Sequence, residues 1–251
     1  MNLLRNVIRP YLVARYSIHR LTGTGAFRRN GARYLSGAST PSWNPLKRAL
    51  WRYHVKQFHE SSCSVASVVS CINALRALEK GDIEPIGQKE ILERVRTGNW
   101  KERMSKGGHN GRRGLPLPLL GRVVADSLAA YDLAVQGVEV VTAPKRSSET
   151  AAVQARLKAR LEAFDREGDG LIIAHFDQGA LIPTLNIPHI SPVGAYDAVS
   201  GRVTVLDVDP DETMPYQVDF DTFYAGLSST YHRVFTAFGY TGGGYVYIQI
   251  R

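Results

Sequence analysis

The chain has 251 residues, a formal net charge of +8 and only two cysteines, which exclude a disulfide-stabilised scaffold. No apolar run approaches the ~20 residues that a membrane-spanning helix needs. Residues 1–59 hold nine Arg, two Lys and no acidic residue, so the remaining 192 residues carry a net charge of −3. The basic surplus therefore belongs to the N-terminal segment.

The first 20 residues place Leu4, Ile8 and Leu12 on one helical stripe, with arginines beside it. Pro10 is expected to interrupt or bend this helix. An acid-free amphipathic start is typical of a basic arm packed on a domain, of a targeting segment or of a membrane-surface helix. These three interpretations stay open. The basic residues form no known nucleic-acid-binding motif, so we expect no nucleic acid partner.

Residues 21–46 are rich in Gly, Ser, Thr, Asn and Pro, which is typical of a connecting segment. We therefore expect residues 1–46 to form a basic extension and linker, and residues 47–251 to form one domain. No secretory signal is evident and a reactive thiol prefers reducing surroundings. A cytoplasmic location is the expectation, unless the basic segment redirects the protein to an organelle or a membrane face.

The hydrophobic periodicity predicts helices over residues 61–79, 86–96, 115–131, 148–165 and 219–227. Alternating apolar residues, bounded by Gly, Pro and Asp, predict strands over residues 138–142, 170–176, 189–198, 202–208 and 244–250. Residues 97–114 are predicted to form a glycine-rich, basic loop. Because helices come first and strands follow, we expect an α+β fold in which a helical lobe packs on an antiparallel sheet.

Cys63 stands at the predicted start of the first confident helix, where Ser61 or Ser62 can cap the N-terminus. The free N–H groups and the dipole of a helix N-terminus stabilise a thiolate, which is the reactive form of cysteine. The alternative is an inert core cysteine, which is the expectation for Cys71. A disulfide between the two is excluded, because eight helical residues span ~12 Å.

A cysteine nucleophile needs a base, a group that orients the base and an oxyanion hole. His189 opens a predicted hairpin whose second strand ends beside Asp207 and Asp209. Either carboxylate could orient the imidazole, although Asp207 is also a common residue at the end of a strand. His175, on an apolar strand, is expected to be a core or edge residue. Gln57 can donate its amide to a developing oxyanion.

These residues together resemble the phytochelatin synthases, which are papain-like cysteine peptidases or transpeptidases. The resemblance rests on Gln57 six residues before Cys63, and on three phrases. CINAL at residues 71–75 resembles the family's VLNAL, HISPVGAY at 189–196 resembles HFSPIGGY, and VTVLDVDPDETMPY at 203–216 resembles LILDVARFKYP. It covers roughly residues 50–250. Asp207 then falls on the family's catalytic Asp.

The resemblance implies a papain-like fold, with the nucleophile on a helical lobe and His and Asp on an antiparallel sheet lobe. It implies a thiol transpeptidase or hydrolase acting on glutathione, a small peptide, through a γ-glutamylcysteinyl-enzyme intermediate. No cofactor is required by this mechanism. Heavy-metal thiolates of the substrate, formed with Cd or Zn, are expected forms of it, which would connect the activity with metal detoxification. No metal-ligand cluster is evident in the sequence.

The chain departs from the family at three places. Ser64 follows the nucleophile where the family usually has Gly, Ser62 precedes it where an aromatic residue is common, and residues 242–244 are glycines where the family has an Arg-Gly-aromatic phrase that helps to hold the substrate. The anion-binding arginine is then expected elsewhere, unless the remaining arginines are solvated surface. Our candidate substrate-binding residues are Ser191, Gly194, Tyr196, Arg112, Arg113 and Arg233.

Two other functions are considered. The first keeps the Cys–His–Asp set and assigns a peptide or protein substrate, as in a cysteine protease or isopeptidase. The second, from another class, is a non-catalytic module that binds a membrane or an acidic partner through the basic N-terminal segment. A binding module has no need of all four residues of the candidate site. A homodimer is a further hypothesis about partners.

Overall fold

The computed structural model describes residues 2–24, 31–36, 43–105, 107–231, 233–236 and 238–250. The helices in these residues are α1 Asn2–Thr22, α2 Pro45–Arg52, α3 Cys63–Lys80, α4 Gln88–Arg94, α5 Trp100–Arg103, α6 Leu117–Ala130, α7 Thr150–Glu167, α8 Gln178–Leu181, α9 Phe220–Leu227 and α10 Arg233–Thr236. The strands are β1 Arg33–Tyr34, β2 Gly137–Thr142, β3 Gly170–Asp177, β4 Pro188–Asp197, β5 Arg202–Val205, β6 Tyr216–Asp219 and β7 Gly244–Gln249.

The seven strands in the described residues form one sheet in the order β1-β6-β5-β4-β3-β7-β2. Every pair of neighbours is antiparallel. Strand β3 lies inside the sheet, and its side chains alternate between two cores. Leu171 and Ile173 join the core on the side of α3, whereas Ile172 and Ala174 join the core on the side of α7 and α9. Burial on both faces explains why β3 is a continuous apolar run.

Helix α3 is the centre of the helical lobe. Its first thirteen residues, 63–75, are all buried, including polar ones. The polar side chains are satisfied within this core: Ser70 accepts from the backbone N–H of Val55 at 3.1 Å, and Asn73 bonds the backbone of Ile86 in both directions. Ser67 Oγ lies 3.0 Å from the carbonyl oxygen of Ile190 on β4. Helix α3 is therefore joined to the sheet by a hydrogen bond as well as by packing.

The α+β prediction is confirmed in its mixture of helices and antiparallel strands, but the strand predicted over residues 202–208 is too long. Pairing with β6 stops at Val205. Beyond it, the N–H of Val208 bonds Ser191 Oγ at 3.3 Å and the N–H of Asp209 bonds Asp207 Oδ1 at 2.9 Å. Leu206 still donates to the carbonyl of Pro192 on β4, but side chains take the backbone donors of Val208 and Asp209, so the regular ladder ends after β5.

The segment predicted as a loop over residues 97–114 is partly helical. A 3₁₀ turn at Thr97–Asn99 leads into α5, and the indole of Trp100 is fully buried in the helical lobe. Burial of a large side chain at the start of a short helix explains why tertiary packing prevails over the glycine-rich composition. Lys106 lies outside the described residues.

The N-terminal region is described in three pieces. Helix α1 continues through Pro10, buries Leu12 and places the hydroxyl of Tyr16 3.3 Å from the carbonyl oxygen of Pro183. Strand β1, inside the predicted linker, pairs with β6, and Tyr34 donates to Glu212 Oε2 at 2.7 Å. Within the described residues, no helix combines the length and apolar character that crossing a bilayer requires.

Candidate active site

His189 and Asp207 form a buried ion pair between two neighbouring parts of the sheet. His189 is the second residue of β4, and Asp207 lies in the turn that follows β5. His189 Nε2 is 2.7 Å from Asp207 Oδ1, and both side chains are almost completely buried. The hairpin therefore brings Asp207 to the imidazole, while Asp209 accepts a hydrogen bond from Gln178 Nε2 at 3.2 Å instead.

The carboxylate of Asp207 is surrounded by donors. Oδ1 accepts from His189 and from the N–H of Asp209, and Oδ2 accepts from the hydroxyl of Tyr216 at 2.8 Å. Burial by itself would raise the pKa of Asp207, but the charge of His189 and these hydrogen bonds lower the pKa to about 2. Asp207 is therefore ionised at all physiological pH values.

The pKa of His189 is shifted in the opposite direction. Burial would lower its pKa, but the charge of Asp207, the hydrogen bond with that carboxylate and the hydrogen bond and charge of Cys63 raise the pKa well above its usual value. The imidazolium form is therefore favoured at neutral pH. Because Asp207 occupies Nε2, the other ring nitrogen, Nδ1, is left for the thiol. The structure thus pairs His189 with Asp207 and brings Cys63 close enough for its charge to act on the imidazole; these three predicted residues form the reactive row.

Cys63 is the first residue of α3, and Ser62 is the N-cap. The Ser62 hydroxyl does not cap the helix, because it bonds the N–H and the carbonyl of His59 in the preceding turn. The first N–H groups of a helix have no acceptor inside it. Since the cap hydroxyl is turned away, the positive end of α3 is directed at Cys63 and at any anion that forms beside it.

The second cysteine is a core residue, as predicted. Cys71 is fully buried in the middle of α3, and burial raises the pKa of its thiol. Ser64, the departure beside the nucleophile, is also buried and accepts a hydrogen bond from Trp100 Nε1 at 3.0 Å. Ser64 therefore anchors the turn of α3 that carries the thiol to helix α5.

Gln57 lies at the edge of this row. Its backbone N–H donates to the carbonyl of Val208 at 2.7 Å, directly after Asp207 in the chain. The Oε1 atom of its side chain is buried and has no hydrogen-bond partner among the described residues. The backbone thus holds Gln57 in place, and that oxygen of the carboxamide plays no part in holding the fold.

Sequence reasoning missed a support on the far side of Asp207. Lys56 Nζ donates to the carbonyls of Asp207 and Glu212 at 2.6 and 2.5 Å, and His54 Nε2 lies 3.1 Å from the same Asp207 carbonyl. Burial first, and then the charge of Lys56, lower the pKa of His54 to about 4. A neutral His54 donates through Nε2. The only signal for these residues was their proximity to Gln57 in sequence.

The three predicted substrate-binding residues of β4 contribute to packing and hydrogen bonding within the fold. Ser191 is fully buried and accepts from the N–H of Val208. Gly194 packs against Leu206, whose side chain lies 2.5 Å from where a Cβ would stand. Tyr196 is seven residues beyond His189 along β4, a separation of roughly 23 Å at the rise of an extended strand. The structure does not bring Tyr196 to the imidazole.

A cavity of about 310 Å³ opens beside Tyr196 and does not include any of the proposed reactive residues. Its walls include Trp43, Lys47, Trp51 and Asp165. Trp51 Nε1 donates to the carbonyl of Gly194 at 2.7 Å. Because its walls include neither Cys63, His189 nor Asp207, we assign this cavity no part in the chemistry at Cys63.

The predicted anion-binding arginines differ in their surroundings. Arg112 is exposed, whereas the Arg113 side chain is 19% exposed and pairs with Glu60, Nη1 to Oε1, at 2.7 Å. The side chain of Arg233 lies outside the described residues. Of these candidates, Arg113 is the one that the structure ties to the turn leading into Cys63.

Two tyrosines and His175 extend the site. Tyr231 Oη is 2.7 Å from His175 Nδ1, and Tyr240 donates to the carbonyl of Arg113 at 3.3 Å. Burial, followed by the charges of Asp177, Tyr240 and Cys63, raises the pKa of Tyr231. His175 is fully buried and its Nε2 bonds the carbonyl of Leu115 at 3.1 Å. His175 is thus a core residue, as expected, and it supports these phenols.

The described residues contain no group of three or more His, Cys, Asp and Glu side chains that could hold a metal ion. The polar groups that are gathered here are a thiol, an imidazole and a carboxylate. This set suits nucleophilic attack on a carbonyl, with proton transfer by the imidazole.

Comparison with known proteins identifies the family. A search of curated proteins found no match to the chain. The family model described as phytochelatin synthase matches residues 29–240. The match covers most of the 251 residues and includes the turn at Gln57, the start of α3, β4 and the segment at Asp207. The chain therefore belongs to the phytochelatin synthase family.

Proposed function

We propose that the protein is a cysteine-nucleophile acyl transferase or hydrolase that acts on glutathione or a related γ-glutamyl peptide. The observation that carries this proposal is the buried ion pair of His189 with Asp207 at 2.7 Å, to which the charge of Cys63 at the start of α3 adds its effect on the pKa of His189. Family membership supports the substrate class. We further propose that the arrangement is papain-like, with α3 carrying the nucleophile and the sheet carrying the base and its carboxylate.

In the acylation step, Cys63 Sγ attacks the carbonyl carbon between the cysteinyl and glycyl residues. A C–S bond forms, and the negative charge moves to the carbonyl oxygen. In this proposal the N-terminus of α3 and the carboxamide of Gln57 donate to this charge, and preorganised donors of this kind stabilise it. The C–N bond then breaks as the His189 imidazolium gives its proton to the leaving glycine amine.

In the deacylation step, an acceptor attacks the γ-glutamylcysteinyl thioester. If the acceptor is water, His189 takes its proton, the C–S bond breaks and γ-glutamylcysteine is released. If the acceptor is the amine of a second glutathione or of a growing peptide, the product is a longer (γ-Glu-Cys)n-Gly chain. Cd or Zn thiolates of glutathione enter this scheme as forms of the substrate.

The test is to incubate the full chain with glutathione, with and without Cd²⁺ or Zn²⁺, and to resolve the products by mass spectrometry. We expect glycine and γ-glutamylcysteine, and a transferase also gives longer chains. Cys63→Ala removes both products. Cys71→Ala is the matched control, because Cys71 is a buried thiol of the same helix that takes no part in the reaction.

Two outcomes would change the assignment. Selective alkylation of Cys63 without any cleavage of glutathione would retain the reactive thiol and favour a cysteine protease or isopeptidase that acts on another peptide. Absence of both cleavage and selective alkylation would overturn the enzymatic proposal. The basic N-terminal segment, with a membrane surface or an acidic partner, would then be the feature to pursue.

A further inference from the structure

The guanidinium of Arg113 is only partly satisfied in the described structure. Nη1 lies 2.7 Å from Glu60 Oε1. Nε and Nη2 are both buried and have no hydrogen-bond partner among the residues that the structure describes. A buried donor on a charged group is costly when it is unpaired, and native proteins rarely leave two on one side chain.

The two unpaired atoms are chemically informative. Nε and Nη2 carry the parallel N–H groups on one edge of the guanidinium, and this edge matches the two oxygens of a carboxylate. The ion pair with Glu60 uses the remaining nitrogen, Nη1, and so fixes the orientation of the side chain. Arg113 therefore has the form of a preorganised carboxylate receptor whose bidentate edge is free.

The position of Arg113 connects it to the reactive thiol. Glu60 precedes Cys63 by three residues, so their Cα atoms are at most about 11 Å apart. Tyr240 donates to the carbonyl of Arg113 at 3.3 Å. Burial, and then the charge of Cys63, raises the pKa of Tyr240, whereas Arg103 and Arg113 lower it. The same phenol is therefore near the thiol and near both arginines.

The electrostatic surroundings favour an anion. Arg103 is buried and donates to the carbonyls of Gly98 and Gly114, at 2.9 and 3.4 Å, so no carboxylate neutralises it in these contacts. Glu60, the ion-pair partner of Arg113, is 56% exposed, so it neutralises the guanidinium less than a buried partner would. The charges of Arg103 and Arg113 both act on the Tyr240 phenol.

An arginine side chain does not fit at Gly243. A Cβ there would lie 2.4 Å from the carbonyl oxygen of Leu227 and 2.6 Å from that of His175. These atoms belong to backbone, so they cannot move aside cheaply. A side-chain anion receptor is therefore expected on another element of the site.

We propose that Arg113 binds a carboxylate of the peptide substrate through Nε and Nη2. This inference rests on the proposed function and deepens it, because it makes an anionic γ-glutamyl peptide the preferred acyl donor. Arg113 is then a specificity-determining residue, and its effect falls on substrate binding more than on the chemical step.

The first test is calorimetry of glutathione binding to the full-length Cys63→Ala variant, which cannot turn over. Arg113→Gln is expected to weaken binding by about 10- to 100-fold, the loss of a charged bidentate contact. Arg113→Lys keeps the positive charge but cannot make two parallel N–H bonds, so its affinity for glutathione is expected to lie between those of the parent and Arg113→Gln. Arg96→Gln, which removes an exposed ion pair with Glu93, is the matched control and leaves binding unchanged.

Two glutathione monoamides identify the carboxylate. One amide blocks the glycyl carboxylate and the other blocks the α-carboxylate of the γ-glutamyl residue. The amide that lacks the bound carboxylate is expected to bind weakly to the parent and to be insensitive to Arg113→Gln. Equal affinities of the Arg113→Gln and Arg96→Gln variants for glutathione would overturn the proposal.

A second readout separates this inference from the proposed function. In proteins that retain Cys63, we would compare the alkylation rates with iodoacetate, an anion, and iodoacetamide, its neutral analogue. Arg113→Gln, but not Arg96→Gln, is expected to lower the iodoacetate-to-iodoacetamide ratio at Cys63 about fivefold or more. If glutathione is not a substrate, a lowered ratio still supports the anion subsite, and an unchanged ratio rejects it.

Discussion

The hydroxyl of Tyr216 donates to Asp207 Oδ2 at 2.8 Å, while His189 uses Oδ1 of the same carboxylate. Tyr216 thus fixes the plane of the carboxyl group from the side opposite the imidazole. Burial, and then the charge and hydrogen bond of Asp207, raise the pKa of this phenol well above its usual value. Tyr216 therefore remains a donor and stabilises the ionised form of Asp207.

Tyr216→Phe tests this support. Loss of a hydrogen bond to a charged group is expected to destabilise the Asp207 carboxylate by about 1.5–3 kcal/mol, and kcat should fall by roughly tenfold or more with little change in KM. Steady-state kinetics on glutathione checks this expectation. Tyr224→Phe is the control, because the Tyr224 hydroxyl donates instead to the carbonyl of Pro144 at 2.9 Å. Equal kcat values for Tyr216→Phe and Tyr224→Phe would show that the hydrogen bond of Tyr216 does not support Asp207 in the reaction.

The ion pair of His189 with Asp207 makes stability depend on pH in two directions. The pKa of His189 is raised, so its contribution is complete below ~6.5 and is lost as pH rises through the folded-state value. The pKa of Asp207 is lowered to about 2, so its contribution is complete above ~4 and is lost as pH falls toward 2. The contribution of the pair to the free energy of unfolding is therefore complete between about pH 4 and 6.5.

Urea unfolding of the parent and of His189→Gln checks this dependence. The difference between their free energies of unfolding should be largest near pH 5–6 and should shrink as pH rises through the raised pKa of His189. In an Asp207→Asn background, the difference in unfolding free energy caused by His189→Gln should no longer change with pH. An NMR titration of the His189 imidazole should show a lower pKa in Asp207→Asn than in the parent. A difference that stays constant from pH 5 to 9 would count against the pair.

Gln57 supplies the third prediction. Removal of one oxyanion donor typically lowers kcat by about 10²- to 10³-fold, and we expect that loss in Gln57→Ala and in the nearly isosteric Gln57→Glu. Alkylation of Cys63 by iodoacetamide forms no oxyanion and should proceed at a similar rate in Gln57→Ala. If kcat is unchanged in both variants, the oxyanion must be stabilised by other groups.

Ser67 gives a prediction about stability. Its hydroxyl lies 3.0 Å from the carbonyl of Ile190, the residue after His189, and 2.8 Å from the carbonyl of Cys63. Ser67→Ala leaves the Ile190 carbonyl without this donor and should lower the free energy of unfolding by about 1–3 kcal/mol. It should also lower kcat, because α3 and β4 lose their link beside the two reactive residues.

Ser127→Ala is the control for Ser67→Ala. Ser127 is equally buried, but its hydroxyl bonds Val123 within its own helix, so a smaller loss of stability and no loss of activity are expected. Urea unfolding and kinetics on glutathione measure both effects. If Ser67→Ala retains full activity, the link does not position the thiol against the imidazole.

Each proposed member of the reactive row is marked in the sequence by a local pattern. Cys63 opens a periodic helix, and the hairpin after His189 restricts its partner to Asp207 or Asp209. The hairpin alone could not choose between these two, since the choice depends on where β5 ends. That end is fixed by the Ser191 hydroxyl, which takes the N–H of Val208, and no periodicity shows such a contact.

Other elements carried too little signal to be predicted. Strand β6, YQVD, has two polar residues in four and follows an acidic turn, so Tyr216 was not recognised as a partner of Asp207. Strand β1 has only two residues. Helix α2 was missed although Asn44 caps it and Pro45 starts it, which is a recognised start signal. Arg113 was predicted only as one of three arginines, because its burial depends on the fold of the surrounding loop.

Strand β1 has a practical meaning for the protein as a whole. Its pairing covers the backbone of β6 at Tyr216 and Gln217. Tyr216 is the residue whose hydroxyl bonds Asp207. An affinity tag or fusion partner attached upstream of residue 31 would leave this edge strand intact. An expression boundary set at residue 43 would uncover β6 as an open edge, and such edges recruit other chains. Activity and solubility should therefore decline together when the N-terminal boundary crosses β1.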